Sequence, residues 1–268
     1  MISKLANIHP GALIAKDVKI EAFASVYEDV EIGAGSWIGP NAVIMNGARI
    51  GKNVQVFPGA VISGDPQDLK FKGEITTTEI GDNTIIREYV TINKGTKAND
   101  RTVVGKDCLI MSYCHIAHDC VLQDRVILGS YAGLAGEVEV DNWAIVSPGS
   151  LVHQFVRIGV HVMIQGGSKV SKDVPPFAMA GREPISFTGI NSIGLRRRGF
   201  NNETIYAIQE AYRIIYQRGL NISDAMEVVE ANLPAFKERD ELILFIRASK
   251  RGIIRGYFDG KEAEATQF

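Results

Sequence analysis

Cysteine is scarce in this sequence, and neither sign of charge predominates. Three cysteines occur in 268 residues, an odd number that offers no disulfide framework. Lys and Arg number 29 against 31 Asp and Glu, a formal net charge of −2. With no long basic stretch, that balance excludes nucleic acid as the expected partner. No run approaches the roughly 18 apolar residues that cross a bilayer. The opening Met1-Ile2-Ser3-Lys4-Leu5-Ala6-Asn7 has no apolar signal core. A cytoplasmic protein without a membrane span is the expectation.

What the sequence has instead is a period of six. A branched apolar residue recurs from Ile8 through Ile14, Ile20, Val26, Ile32, Ile38, Ile44, Ile50 and Val56 to Ile62. The frame resumes at Ile80 and runs through Ile86, Ile92, Val104, Ile110, Ile116, Leu122, Leu128, Leu134, Val140, Val146, Val152, Ile158 and Ile164 to Val170. Neither a helix nor a half-buried strand has this period; one six-residue unit cannot bury its apolar side chain alone and must stack in a parallel β-helix. Four residues after each apolar position stands a small or β-branched residue, as at Ala24, Val30, Ser36, Ala42, Ala48, Val54 and Ala60. Turn formers recur between them, as in Ile32-Gly33-Ala34-Gly35 and Ile50-Gly51-Lys52-Asn53. Three hexads per coil place each residue over the one 18 positions on, about 4.8 Å away. Cys108, Cys114 and Cys120 take the small interior position on three successive sides, which predicts free, buried thiols.

The frame breaks twice, near 63–79 and 94–103, and both breaks are expected to leave the scaffold as polar loops. After Val174 and Pro175-Pro176 the remainder reads as helices. One is capped by Asn201 or Asn202 and stopped by Gly219, one opens at Ser223, and one carries Leu242, Phe245 and Ile246 before Gly252. The expected fold is mainly β, with a β-helix over 1–186 and a helical C-terminal domain over 187–268 whose tail, 260–268, is aperiodic and expected to be mobile.

Chemistry gathers at Cys114-His115-Ile116-Ala117-His118-Asp119-Cys120. His118 is off the inward position, which predicts a place at or near the surface. Alone it reads as a solvated polar residue. The stacking rule sets Gly136 above it and Gln154 above that, so an imidazole adjoins an accessible backbone N–H. A general base with an oxyanion donor is the minimum equipment for acyl transfer to a hydroxyl.

The segments NIHPGALI, GDPQDLKFKGE, IREYVTINKGT, HIAHDC, LAGEV, VHQF, KDVPPFAMA and INSIGLRRRGF, in this order, resemble the UDP-N-acetylglucosamine O-acyltransferase family over almost the whole chain. The resemblance implies a homotrimer of left-handed β-helices with clefts between subunits, transferring a 3-hydroxyacyl group from acyl carrier protein to the sugar 3-hydroxyl in the first step of lipid A synthesis. No cofactor or metal is implied. By the resemblance His118 is the general base, Gly136 the oxyanion donor and Asp119 an orienting carboxylate, although a plain surface Asp fits the sequence equally. Gln67, Asp68 and Lys70 fall on sugar and acyl contacts; His115, His153 and Gln154 line the nucleotide-sugar cleft; Asn191, Arg197 and Arg198 hold acyl and UDP portions. Gly166 falls on the position that limits acyl length, and glycine there leaves the groove open. Arg247, Lys250, Arg251 and Arg255 form a basic surface for an acidic carrier.

Three residues depart from the family pattern: Glu137 and Asn93 each replace a frequent His, and Ile193 an acidic residue. Glu137 stacks over Asp119, where two carboxylates repel unless one is protonated or a cation intervenes. These changes leave open a 3-amino acceptor. A zinc enzyme of the γ-carbonic-anhydrase type would need three converging imidazoles, which His115, His118, His9, His153 and His161 do not supply by stacking. The related N-acyltransferase would carry a domain before its repeats, which here begin at Ile8. A purely structural β-helix would leave the loops and the histidine coil without account.

Overall fold

The computed structural model describes residues 1–256; the expected tail at 260–268 lies outside them. Each hexad forms a short strand and a corner, and the strands stack in parallel on three faces, within sheets of nine, eight and eleven strands. Along one coil the chain crosses the first face at His115–Ile116, the second at Val121–Leu122 and the third at Ile127–Leu128. The apolar frame points inward: Ile20, Ile38, Ile62, Ile92, Ile116 and Leu128 are fully buried, with Ala24, Ala42 and Ala60 filling the corners. Cys108, Cys114 and Cys120 are free and buried.

Register follows the stacking rule where the coil is regular, as at His115 on Gly133 and Ile116 on Leu134. Ile50 pairs with Ile80, 30 positions on, and Ile80 with Val104, 24 positions on. Both excesses over the regular 18 are multiples of six, so the apolar frame survives the two loops.

The corners turn through left-handed backbone. Tyr113, Asp119 and Arg125, the three corners of one coil, have φ of 63°, 60° and 59°. This region disfavours β-branched residues, and none occupies these corners. The corner N–H reaches back to the previous coil, as from Tyr131 to Ser112 O (3.1 Å) and from Trp143 to Asp124 O (3.1 Å).

Beyond Val174 the structure differs from the helices expected there. Ala178–Gly181 adds a parallel strand to the third face, and Ser186–Ile190 folds back antiparallel on it. The expected boundary after 186 therefore cuts a strand. Helices α1 (Ser192–Arg197), α2 (Asn202–Gln217), α3 (Ile222–Asn232) and α4 (Lys237–Arg247) follow. The helix α1 was not anticipated, and α3 is capped by Asn221 rather than Ser223. The helices are fastened to the prism: Tyr212 donates to Pro176 O at 2.5 Å, Ser249 to Asp173 at 2.7 Å, and Arg157 lies 4.6 Å from the centre of the Phe245 ring.

Truncating one interior side chain removes contacts made to coils on both sides. Leu128→Ala should lower unfolding free energy by about 2–5 kcal/mol, whereas Leu13→Ala, at an exposed position, should change it by about 0.5 kcal/mol or less. Chemical denaturation of the two variants checks this.

Candidate active site

His118 is buried, with 8% exposure, rather than lying on the surface. Its Nδ1 lies 2.7 Å from Asp119 Oδ2, a contact between sequence neighbours. The Asp119 carboxylate is fully engaged: Oδ1 accepts the N–H groups of Thr96 (2.9 Å) and Asn99 (3.2 Å), and Oδ2 accepts the Thr96 hydroxyl (2.7 Å). Asp119 N–H donates to Thr102 Oγ1 at 2.8 Å. A group surrounded by donors acts as an acceptor toward the imidazole as well, so Nδ1 carries the proton and Nε2 keeps its lone pair. The second loop thus holds the carboxylate that orients the ring. Thr96, Asn99 and Thr102 were missed in the sequence; the polar break at 94–103 was their only signal.

Gly136 is required by this ring. A Cβ built there would lie 2.5 Å from His118 Cε1 and 2.6 Å from Nε2, so any side chain would displace the imidazole. Among the described residues the Gly136 N–H has no acceptor, while its carbonyl accepts from Phe155 N–H at 3.2 Å. A cleft of 360 Å³ opens beside the ring, lined by His118, Glu137, Asp68, Lys70, Phe71 and Thr96 among others. Both inserted loops therefore converge on His118. Glu137 also borders a larger groove of 780 Å³ with Asp119, Arg101, Arg157, Lys250 and Arg251. The repulsion expected between stacked Asp119 and Glu137 is offset on the Asp119 side by its donors; no cation is needed there.

The remaining predicted residues are spread more widely. Asp68 Oδ1 accepts the Lys70 N–H at 2.9 Å, and Gln67 is exposed outside the cleft. Asn93 donates to Asp65 O at 2.9 Å, and its Oδ1 is buried without a partner among the described residues. His115 opens the strand that leads into His118, with Nδ1 2.8 Å from the Thr91 hydroxyl; burial, then the neighbouring His118, lowers its pKa. His153 and Gln154 lie two coils up the same edge, with His153 Nδ1 donating to Gln154 O at 3.1 Å. At Gly166 a Cβ would press on the backbone, meeting Pro148 O at 3.2 Å, with Ser147 Cβ at 3.9 Å.

Asn191, expected to hold ligand, has its side chain engaged within the chain, donating to His161 O and accepting from Gly194 N–H as the cap of α1. Arg197 and Ile193 are exposed. Arg198 stands at another edge, its Nη2 donating to Trp143 O at 3.2 Å and its guanidinium 5.0 Å over the indole. Of the expected basic surface, Arg247 is bound bidentately by Glu230 and Arg251 donates to Ser171 O. Lys250 lines the groove. Among the described residues no three metal-ligating side chains converge, and no helix is long and apolar enough to cross a membrane.

Residues 173–254 match the family model described as UDP-N-acetylglucosamine O-acyltransferase, domain 2. Residues 29–64 and 101–136 match the bacterial transferase hexapeptide model. An acyl-[acyl-carrier-protein]–UDP-N-acetylglucosamine O-acyltransferase of Thiobacillus denitrificans is 45% identical over 71% of this chain and 74% of its own length. The UDP-N-acetylglucosamine acyltransferase structure from Bacteroides fragilis superposes with a TM-score of 0.94 at 55% identity, over 95% of this chain and all of that one. That from Francisella novicida gives 0.94 at 38% identity, over 98% and 96%.

Gly136→Ala should displace the His118 ring, seen as a shifted imidazole signal by NMR, and slow any reaction that uses the ring by about 100-fold. The coil itself should persist, because alanine is accepted at φ below zero. A second expectation concerns His161. Burial, with repulsion from Arg198 and Lys237, pushes it down to about 4. Below its ordinary value of about 6.5 the unfolded chain binds the proton first, so stability should fall as pH drops from about 6.5 to 4. Denaturation across that range should show a shallower slope in His161→Phe, a residue that Phe177 shows the next corner accepts.

Proposed function

The chain belongs to the UDP-N-acetylglucosamine O-acyltransferase family, and we propose that it moves a 3-hydroxyacyl chain from acyl carrier protein to the 3-hydroxyl of UDP-N-acetylglucosamine, the first step of lipid A biosynthesis, in the cytoplasm. One observation carries the chemistry: an imidazole fixed through Nδ1 by Asp119 and lying on Gly136. Nε2 takes the proton of the sugar hydroxyl as its oxygen attacks the acyl carbonyl. The Gly136 N–H faces the developing oxyanion. Collapse of the tetrahedral species expels the carrier, and the imidazolium returns the proton to that leaving group. Asp68 and Lys70, at the mouth of the cleft, are suited to the acceptor sugar.

Diphosphate recognition falls to Arg197 and Arg198, because a planar guanidinium engages two oxygens at once. Arg198 and His118 occupy different edges of the prism, and Arg157 with Phe245 stands on the face between them. A complete site thus calls for His118 of one copy and Arg198 of the next. The faces favour such an assembly. The second face carries the Arg101–Glu79 and Arg157–Glu139 ion pairs, while the third shows Leu109, Ile127, Ile145 and Met163 outward. A homotrimer closes these contacts cyclically.

The test is acyl transfer by purified protein given UDP-N-acetylglucosamine and a panel of 3-hydroxyacyl carrier proteins. Wild type should transfer to the 3-hydroxyl, and His118→Ala should lose about 100-fold or more in turnover while keeping its fold and assembly. Near-normal turnover in that variant would remove His118 from the mechanism, and transfer only to a 3-amino analogue would change the acceptor.

A further inference from the structure

The edge between the second and third faces ends in an aromatic column. Trp143, His161 and Phe177 occupy successive corners, all with positive φ. Their rings follow one another, Trp143 to His161 at 6.3 Å and 18°, and His161 to Phe177 at 6.0 Å and 21°. The segment carrying Arg198 is tied to this column on both sides. Before it, Asn191 caps α1 and donates to His161 O at 3.0 Å. After it, Phe200 meets the His161 ring edge-on at 5.2 Å. Arg198 itself reaches the corner one coil below His161, where its Nη2 donates to Trp143 O at 3.2 Å and its guanidinium lies 5.0 Å from the indole centre.

Other arginines of the chain are held by carboxylates, as Arg125 is by Asp107, Arg157 by Glu139 and Arg247 by Glu230. Among the described residues no carboxylate pairs with Arg198; a backbone carbonyl and an aromatic face hold it instead. The difference matters for a group that must take up an anion. A carboxylate fixes a guanidinium but neutralises it and occupies the planar pair of donors a phosphate would use. An aromatic face attracts the cation through its quadrupole and leaves both the charge and the N–H edge unspent. We propose that Trp143 is a positioning residue for the nucleotide sugar: its indole face holds the Arg198 guanidinium, still charged and correctly turned, for the diphosphate. The proposal rests on the reading of Arg198 given above. Trp143 acts through Arg198 and touches no reacting atom, so its loss weakens binding of the UDP portion and leaves the acyl-transfer step alone.

Titration calorimetry with UDP and steady-state rates on the full-length protein decide it. Trp143→Asn keeps the backbone carbonyl and removes the aromatic face, and the same edge already carries asparagine at the left-handed corners Asn53 and Asn83. It should weaken UDP binding and raise KM for the nucleotide sugar about 10-fold, with turnover and KM for the carrier changed about 2-fold or less. Trp143→Phe should restore most of the affinity, because phenylalanine keeps a π face. In an Arg198→Ala background Trp143→Asn should weaken UDP binding no further, a coupling that general support of the fold would not produce. Equal losses in both backgrounds, or unchanged UDP affinity in Trp143→Asn while Arg198→Ala weakens it, overturn the proposal and leave the role of Arg198 standing. UDP binding unaffected by Arg198→Ala overturns the diphosphate reading and this proposal with it. Should Trp143→Asn fail to fold, the emission of Trp143 decides, measured in Trp37→Phe because the chain has two tryptophans: UDP should shift it, and an unchanged spectrum on saturation with UDP overturns the proposal.

Discussion

No coil of this prism can stand alone. Each interior Ile, Leu or Val is buried by the residue above and the residue below it, as Ile116 is by Ile92 and Leu134, and each strand's polar groups are satisfied by the same two neighbours. That dependence fixes what the rest of the chain is free to do. Loops leave only where they can return in register, and outward side chains become available for function because they contribute little to the stack. The chemistry stands at corners and on outer faces, while the interior is mostly aliphatic, with thiols and a few hydroxyls such as Ser36, Thr84 and Ser150.

Within that frame the site depends on one buried carboxylate. Asp119 takes three donors from the second loop and directs its remaining capacity at His118. Its left-handed corner, φ 60°, swings the side chain toward its predecessor, which an extended backbone would keep on opposite sides. The strain of the corner and the orientation of the ring are therefore one feature. The second loop, an excess of six residues over the regular coil, is the structural cost of holding that carboxylate away from water.

Much of this was legible in the sequence because the β-helix converts position into neighbourhood. The period alone located the interior, the thiols and both loops, and the stacking rule put Gly136 on His118. It failed where geometry left the period. The His118–Asp119 contact depends on a corner torsion that no spacing encodes. Thr96 and Asn99 act from a loop whose path has no repeat, and Asn191 is consumed in capping a helix, α1, too short to announce itself by periodicity. The strands at Ala178–Gly181 and Ser186–Ile190 follow a proline pair and pair partly antiparallel, so a six-residue frame could not foresee them. Arg247 looks like a free cation in sequence because Glu230, its partner, lies on another helix.

The edge bearing Arg198 shows how far a corner ladder can carry position. Asn53 donates to Asn83 and Asn83 to Asp107; Arg125 pairs with Asp107 and lies over Trp143; Trp143 stacks near His161, and His161 near Phe177. Side chains thus touch in unbroken succession up one edge of the prism, and Arg198 closes the series from the helical region by resting on Trp143. Desolvation lowers the Arg198 pKa, and its Nη1 is buried without a partner among the described residues. An arginine so placed has lost water without gaining a full set of acceptors. On the proposed function a diphosphate supplies them, and the incomplete solvation of Arg198 then becomes part of the driving force for its uptake.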